Sequence, residues 1–358
     1  MALFESSTQA KYWSLTPEDL SSVREQANRQ AVQSRPPHPA PLSLEEEAII
    51  RRHHERRILR FNRNNNLPDK LAATAITYFK RFFLHRSVMD YNPAAITLLS
   101  LYASSKVEEI VFDAQDLVAR FDASVNGVAA DTPLSEQPMS ADGCSMRITA
   151  DALLSTELWF LQQISFHLIC YHPFKSLGIV REKLHVANVC GSGQKADDLL
   201  AGIILRAEHV VRRRALLCDL PLSNLPAVIA VAATIVGAKD AGGPDEKQLM
   251  PVLIGDNEHL TDRICAAVDV LRSLSDRTPE NEASQVAQLE KKRKAVQKNI
   301  NDPMSEEFKE MEREQLRQED EKELERLKIF QEKLKRRAEA MLGHDAVDAS
   351  NKKRKIET

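Results

Sequence analysis

Residues Tyr78 to Glu109 read YFKRFFLHRSVMDYNPAAITLLSLYASSKVEE, and this stretch decides the fold. It divides into the end of one helix, a short turn and a complete second helix. Asn92 is a capping residue type, and Pro93 suits the first helical position, where no backbone N–H is needed. From Ile96 to Ala103 the second helix is apolar nearly all round, apart from the small Thr97 and Ser100. Such a helix must be enclosed by others rather than laid on a surface. It ends in Lys106, Val107, Glu108 and Glu109. A lysine there complements the negative end of the helix dipole and, where partly buried, needs a carboxylate partner.

Working outward toward the N-terminus, a helix over about Asp69 to Leu84 carries Leu71, Ala75, Tyr78, Phe79, Phe82 and Phe83 on a wide apolar face. Ser43 with Glu46 forms a capping box for a helix reaching about Arg63, broken by Asn64 to Asn66 and Pro68. Within it, His53 and His54 lie in the charged run Arg51 to Arg57 and read as solvent-facing. Arg35 to Pro41 is a proline-rich linker. Before it, a Ser14 or Thr16 cap followed by Pro17, Glu18 and Asp19 starts a helix to about Val32. Toward the C-terminus, short helical patterning over Asp113 to Phe121 precedes Ala123 to Gly143, which reads as a surface loop. A fifth helix then spans Ile148 to Leu168.

The second half repeats the plan. A shift of 133 residues places Pro93 on Pro226, Ala94 on Ala227, Ile96 on Ile229 and Lys106 on Lys239. Flanking helices are expected at about Leu177 to Asn188, Ala196 to Arg214, Asp245 to Val252 and Asn257 to Leu274. The chain therefore reads as an internally duplicated, all-α protein of two five-helix units. The expected divisions are an N-terminal arm with linker over 1–44, a first repeat over 45–172, a second over 173–278, and a charged tail over 279–358. In that tail, Ser305 to Leu342 reads as one long exposed helix with Glu–Arg/Lys pairs such as Glu323–Arg326 and Glu332–Arg336. Two basic clusters, Lys291, Lys292, Arg293, Lys294 and Lys352, Lys353, Arg354, Lys355, have the composition of nuclear import signals.

Composition narrows the function classes. With 11 glycines and 5% aromatic residues, helices are favoured over sheets. A net charge of −3 argues against a protein whose main task is coating nucleic acid. The five cysteines are odd in number and form no C-x-x-C, so neither a zinc ribbon nor a disulfide framework is expected. A reducing compartment, cytosol or nucleus, fits that usage, and no signal peptide or membrane span is read. No phosphate-binding loop, zinc-protease motif or nucleophile elbow is present. Gly191-Ser192-Gly193 reads as an inter-helix turn, and His167 and His172 as packing residues at a helix end. The expectation is a non-catalytic protein with no cofactor and no metal.

The stretch quoted first resembles the heart of a cyclin box, in which an aromatic-rich helix leads to an apolar helix ending in a Lys-Val-x-Glu type signature. YFKRFFLHRSVMDYNP is similar to the transcriptional cyclins, and AKYWSLTPEDLSSVREQANR to the N-terminal arm of the type that serves the CDK-activating kinase. The resemblance implies two tandem cyclin folds and an arm that packs on them and adjoins the kinase. It implies an ion pair between Lys106 and a glutamate of the fifth helix, here Glu157, at the surface that receives the kinase's regulatory helix. Glu109 and Ile110 would extend that rim. An ordinary intramolecular salt bridge is the plainer reading of the same pair.

The resemblance also implies partners: a cyclin-dependent kinase, a RING-finger assembly factor and general transcription factor H, with a nuclear location and no direct nucleic acid or membrane. Phosphorylation of kinase activation loops and of the RNA polymerase II C-terminal repeats would be the kinase's work. One departure stands out. Cell-cycle cyclins carry an apolar docking patch, and its aligned residues here are Glu55, Arg56, Arg57, Ile58, Leu59 and Asn62, so Arg-x-Leu docking is not expected. The alternatives are a transcriptional cyclin of the C, K or T kinds, a IIB-like DNA-bridging factor, or an unrelated helical scaffold. The arm sequence speaks against the first. The missing zinc ribbon and basic repeat surface speak against the second.

Overall fold

The computed structural model describes residues 2–126, 148–255, 257–275 and 281–297, with 308, 310, 313, 314, 317, 321 and 324 beyond them. After two short helical turns, α1 runs over Pro17–Gln33, with Thr16 supplying the cap. The first repeat comprises α2 (Leu44–Asn64), α3 (Asp69–Phe82), α4 (Pro93–Val107), α5 (Ala114–Asn126) and α6 (Ala150–Gln163). The second comprises α7 (Pro173–Val186), α8 (Gln194–Val210), α9 (Pro226–Asp240), α10 (Glu246–Ile254) and α11 (Glu258–Ser273). A further helix, α12, covers Glu282–Val296. The described residues contain no strand, as the all-α expectation requires.

The 133-residue register holds at both ends of the central helices: α4 and α9 start on Pro93 and Pro226 and end on Val107 and Asp240. Each is buried along nearly its whole length. α2, α3 and α6 pack around α4, and α7, α8 and α11 around α9. The closest approach in the second repeat needs a glycine. A Cβ on Gly237 would stand 2.8 Å from the Ala207 nitrogen and 3.0 Å from the Ile203 oxygen of α8. One continuous apolar core serves both repeats. A smaller cluster of Trp13, Leu20, Leu84 and Leu222 fixes the N-terminal arm to both of them. Arg24 adds an ion pair to Asp219 at 2.6 Å, which holds that carboxyl below its ordinary range against its burial.

Three expectations need correction. The fifth helix stops at Gln163, not Leu168, because Ser165 and Phe166 turn to positive φ. The chain after it is drawn across α3, where the Tyr78 hydroxyl donates to the Leu168 carbonyl and Arg81 to that of His167. Secondly, the start of the region expected as a charged tail over 279–358 holds α12. It packs against α2, with Glu282, Val286, Leu289, Glu290, Arg293 and Val296 buried. Thirdly, His53 and His54 are buried, because α12 covers them: His53 Nδ1 is 3.6 Å from Glu282 and His54 Nε2 is 3.9 Å from Glu290. The face that joins these two helices mixes Val286, Leu289 and Val296 with complementary charges, and the charges interrupt the apolar pattern along α12.

Residues from Ser305 onward form a separate unit, in which the described positions are helical and Glu314 meets Arg317 at 3.5 Å on an exposed surface. Most of the expected helix Ser305 to Leu342, the cluster Lys352 to Lys355 and residues 127–147 lie outside the described residues.

Candidate functional site

The site is built from the last turn of α4 outward. Burial of α4 fixes where its end emerges, and Lys106 is the first residue of the helix to reach solvent. Its ammonium donates to both carboxylate oxygens of Glu157 on α6, each at 2.7 Å. It also lies 4.3 Å from the centre of the Tyr102 ring, one turn back. Partial burial works against the charge on Lys106, but the bonds to Glu157 and the nearby Tyr102 outweigh it and raise its pKa above the ordinary lysine value. The lysine side chain remains 50% exposed and that of Glu157 19%.

The helix end is locked by backbone geometry. Glu109 takes a left-handed φ of 58°, and the Ile110 and Glu109 amides donate to the carbonyls of Ser105 and Lys106 at 2.8 and 3.3 Å. This is a Schellman motif with glutamate where glycine is usual. Ile110 closes it by packing on the core, while Glu109 stays exposed. Sequence reasoning missed the next residue in. Glu108 accepts from Thr74 at 2.6 Å and meets Lys70 at 3.3 Å, tying the end of α4 to α3. Thr74 also contacts His172 at 2.7 Å, and burial pushes that imidazole down to about 4, so it is neutral at pH 7.

Exposed apolar side chains lie on the segments that carry the pair and just beyond them. Leu154 and Leu158 lie three before and one after Glu157 on α6 and are largely exposed, although the sequence suggested an enclosed setting. Val111, just beyond the locked helix end, is 97% exposed, and Phe166 and Ile169 are exposed after α6. Large exposed apolar side chains flanking one ion pair are the signature of a surface that receives another protein. The matching lysine of the second repeat, Lys239, makes no ion pair among the described residues. The duplicated framework thus carries this arrangement once.

The N-terminal arm reaches the same end of the first repeat. Trp13 Nε1 donates to His167 Nδ1 at 2.9 Å, and Tyr12 stacks on the His167 ring at 4.9 Å. Of the first basic cluster, Lys292 pairs with Glu46 at 2.6 Å and Arg293 with Glu290 at 2.8 Å, the latter fully buried. Among the described residues no group of three or more His, Cys, Asp or Glu side chains is placed to hold a metal, and no helix is long and apolar enough to cross a membrane.

No protein-family model matches the chain. It is 26% identical over 307 residues to Cyclin-H1-1 of Arabidopsis thaliana, spanning 76% of this chain and 82% of that one. Cyclin-H of Xenopus laevis is 26% identical over 309 residues, spanning 81% and 85%. In fold, the chain is similar to one in the CAK complex from Chaetomium thermophilum bound to ATP-γ-S, with a TM-score of 0.69, 23% identity, and coverage of 88% and 95%. Two five-helix repeats in one register, an N-terminal arm clamped to both, and this similarity over most of its length make the chain one that resembles cyclin H.

Proposed function

We propose that this chain is the activating subunit of a cyclin-dependent kinase, and that it performs no chemistry itself. A protein kinase aligns ATP only when its strand lysine is paired with a glutamate on a mobile helix. An activator that binds the aligned state more tightly than the misaligned one shifts the population toward it. The observation that carries this reading is the Lys106–Glu157 pair, half-exposed and flanked by the exposed Leu154, Leu158 and Val111. Glu109 and Ile110 belong to the same rim. Kinship with cyclin H supports the finer assignment: a CDK-activating kinase, joined by a RING-finger assembly factor and associated with general transcription factor H in the nucleus. The import role falls to Lys352, Lys353, Arg354 and Lys355, because Lys292 and Arg293 of the other cluster are held in ion pairs.

The test is co-expression with the catalytic subunit of a CDK-activating kinase, followed by a pull-down and a phosphorylation assay. Wild-type chain should bind and activate. Leu158→Asp and Lys106→Ala should keep the helical circular dichroism signal and lose activation by tenfold or more. Full activation by Leu158→Asp would remove α6 from the docking surface, and absence of binding by the wild-type chain would remove this kinase as partner.

A further inference from the structure

Where the first repeat meets the second, α2 and the chain leaving α8 enclose a cleft of about 510 Å³. That volume lies within the range of sites that hold a small ligand or a few residues of peptide. Its charge is opposite to that of the chain as a whole. Five arginines line it, against one aspartate, on a chain of net charge −3. Two of the five are already matched: Arg56 pairs with Glu282, and Arg212 with Asp69 at 2.7 Å and Glu208 at 2.8 Å. The other three, Arg60, Arg63 and Arg213, make no ion pair among the described residues.

The backbone that presents Arg213 is unusual. Val211–Ala215 forms a π-helical turn at the end of α8. Such turns are uncommon and recur at functional sites. This one sends Arg212 and Arg213 into the cleft, while Arg214 donates away from it to the Leu271 carbonyl at 3.2 Å. Arg60 and Arg63 stand three apart on the facing wall, hence on one side of α2. Leu59, Leu67 and Leu217, each partly exposed, supply apolar surface between the two walls.

We infer that this cleft is a docking site for a short acidic segment of a partner protein, whose carboxylates engage Arg60, Arg63 and Arg213 and whose apolar side chain rests on the leucines. Guanidinium forks match carboxylates in geometry as well as charge, and exclude basic peptides by repulsion. Charges on both walls with leucines between them suit an extended chain of several carboxylates better than one compact anion. Nucleic acid is disfavoured, because no Phe, Tyr or Trp side chain lines the cleft for bases to stack on. The proposal does not depend on the kinase reading, and its test uses no kinase.

The test is fluorescence polarisation of a labelled peptide of alternating Asp, Glu and Leu residues, titrated with the full chain. Arms with a phosphoserine peptide, an Arg-x-Leu peptide and a single-stranded RNA run beside it. The acidic peptide should bind, weaken with added salt, and weaken at least tenfold in Arg60→Glu/Arg213→Glu. Arg181→Glu/Arg206→Glu, at exposed arginines of α7 and α8, makes the same charge change and should bind as wild type. Arg60→Lys/Arg213→Lys should retain part of the affinity, which guards against misfolding of the reversed variant. Equal weakening by both charge-reversed pairs, binding of the phosphopeptide or RNA alone, or no binding at all would overturn the proposal.

Discussion

Glu109 occupies a backbone conformation that disfavours side chains, at a φ of 58°, on the rim beside Lys106. A residue other than glycine, asparagine or aspartate at such a position costs on the order of 1–2 kcal/mol. Glu109→Gly should therefore raise the unfolding free energy by about 1 kcal/mol, read from the midpoint of denaturant unfolding. If the carboxylate takes part in docking, the same variant binds kinase less well while being more stable, a combination that a purely structural residue cannot give. An unchanged or lowered midpoint would show that the turn is not strained. The neighbouring ion pair behaves differently. Lys106 is half-exposed, so its pairing with Glu157 contributes no more than about 1 kcal/mol to folding. On the proposed docking role, its larger effect falls on binding, when a partner removes it from water.

Helices in this chain end by one recurring device, and they pack where side chains permit. α2, α4, α6 and α7 all close with a left-handed residue other than glycine: Asn66, Glu109, Ser165 and Asn188. Asparagine tolerates that conformation best, and only the ends at Asn64 to Asn66 and Asn188 were legible in the sequence. The end of α6 was not, since nothing in Ser165-Phe166 marks a stop; buried donors on α3 impose it. Packing gives a sharper contrast between two helical glycines. Gly237 meets the backbone of α8 at less than ordinary contact distance, whereas Gly178 on α7 has nothing within 4 Å. Gly178→Ala should gain about 1 kcal/mol from helix propensity. Gly237→Ala gains the same but forces α8 away, at a cost of about 1–3 kcal/mol, and should lower the melting temperature. Equal shifts in both variants would mean that the α8–α9 contact relaxes freely.

At the scale of the molecule, α12 closes the first repeat over α2 through buried charges as well as the apolar Val286, Leu289 and Val296, and the buried titratable groups make stability depend on pH. Burial pushes the His54 imidazole down to about 3 and that of His172 to about 4. In the unfolded chain both take up protons near pH 6.5. Below that pH the unfolded state binds protons that the folded state refuses, so stability falls as pH drops, by up to about 1.4 kcal/mol per pH unit for each histidine. Glu290 acts lower. Burial alone would raise its carboxyl, but the nearby His54 ring and Arg293 outweigh burial and hold it at about 2. Its contribution is present above pH 4.5 and is lost as pH falls toward 2. Urea unfolding should therefore weaken steadily from pH 6.5 to 4.5, and His54→Gln should flatten that slope. An unaltered slope would place the titration elsewhere.

Most of the helices, the two-repeat register and the cyclin resemblance are legible in the chain alone. Those features rest on local chemistry: a proline at the first turn, a capping side chain, an apolar period along one segment. Tertiary structure alone decided which charges are buried and which stay exposed. Arg56 and Glu282 are 226 residues apart, and His54 is covered by a helix that reads as tail. Lys106 and Lys239 occupy equivalent positions, yet among the described residues only the first finds a carboxylate. An apolar stripe announces burial wherever it occurs. A charge announces nothing until its partner is in place, because its energy depends on what stands within a few ångströms of it.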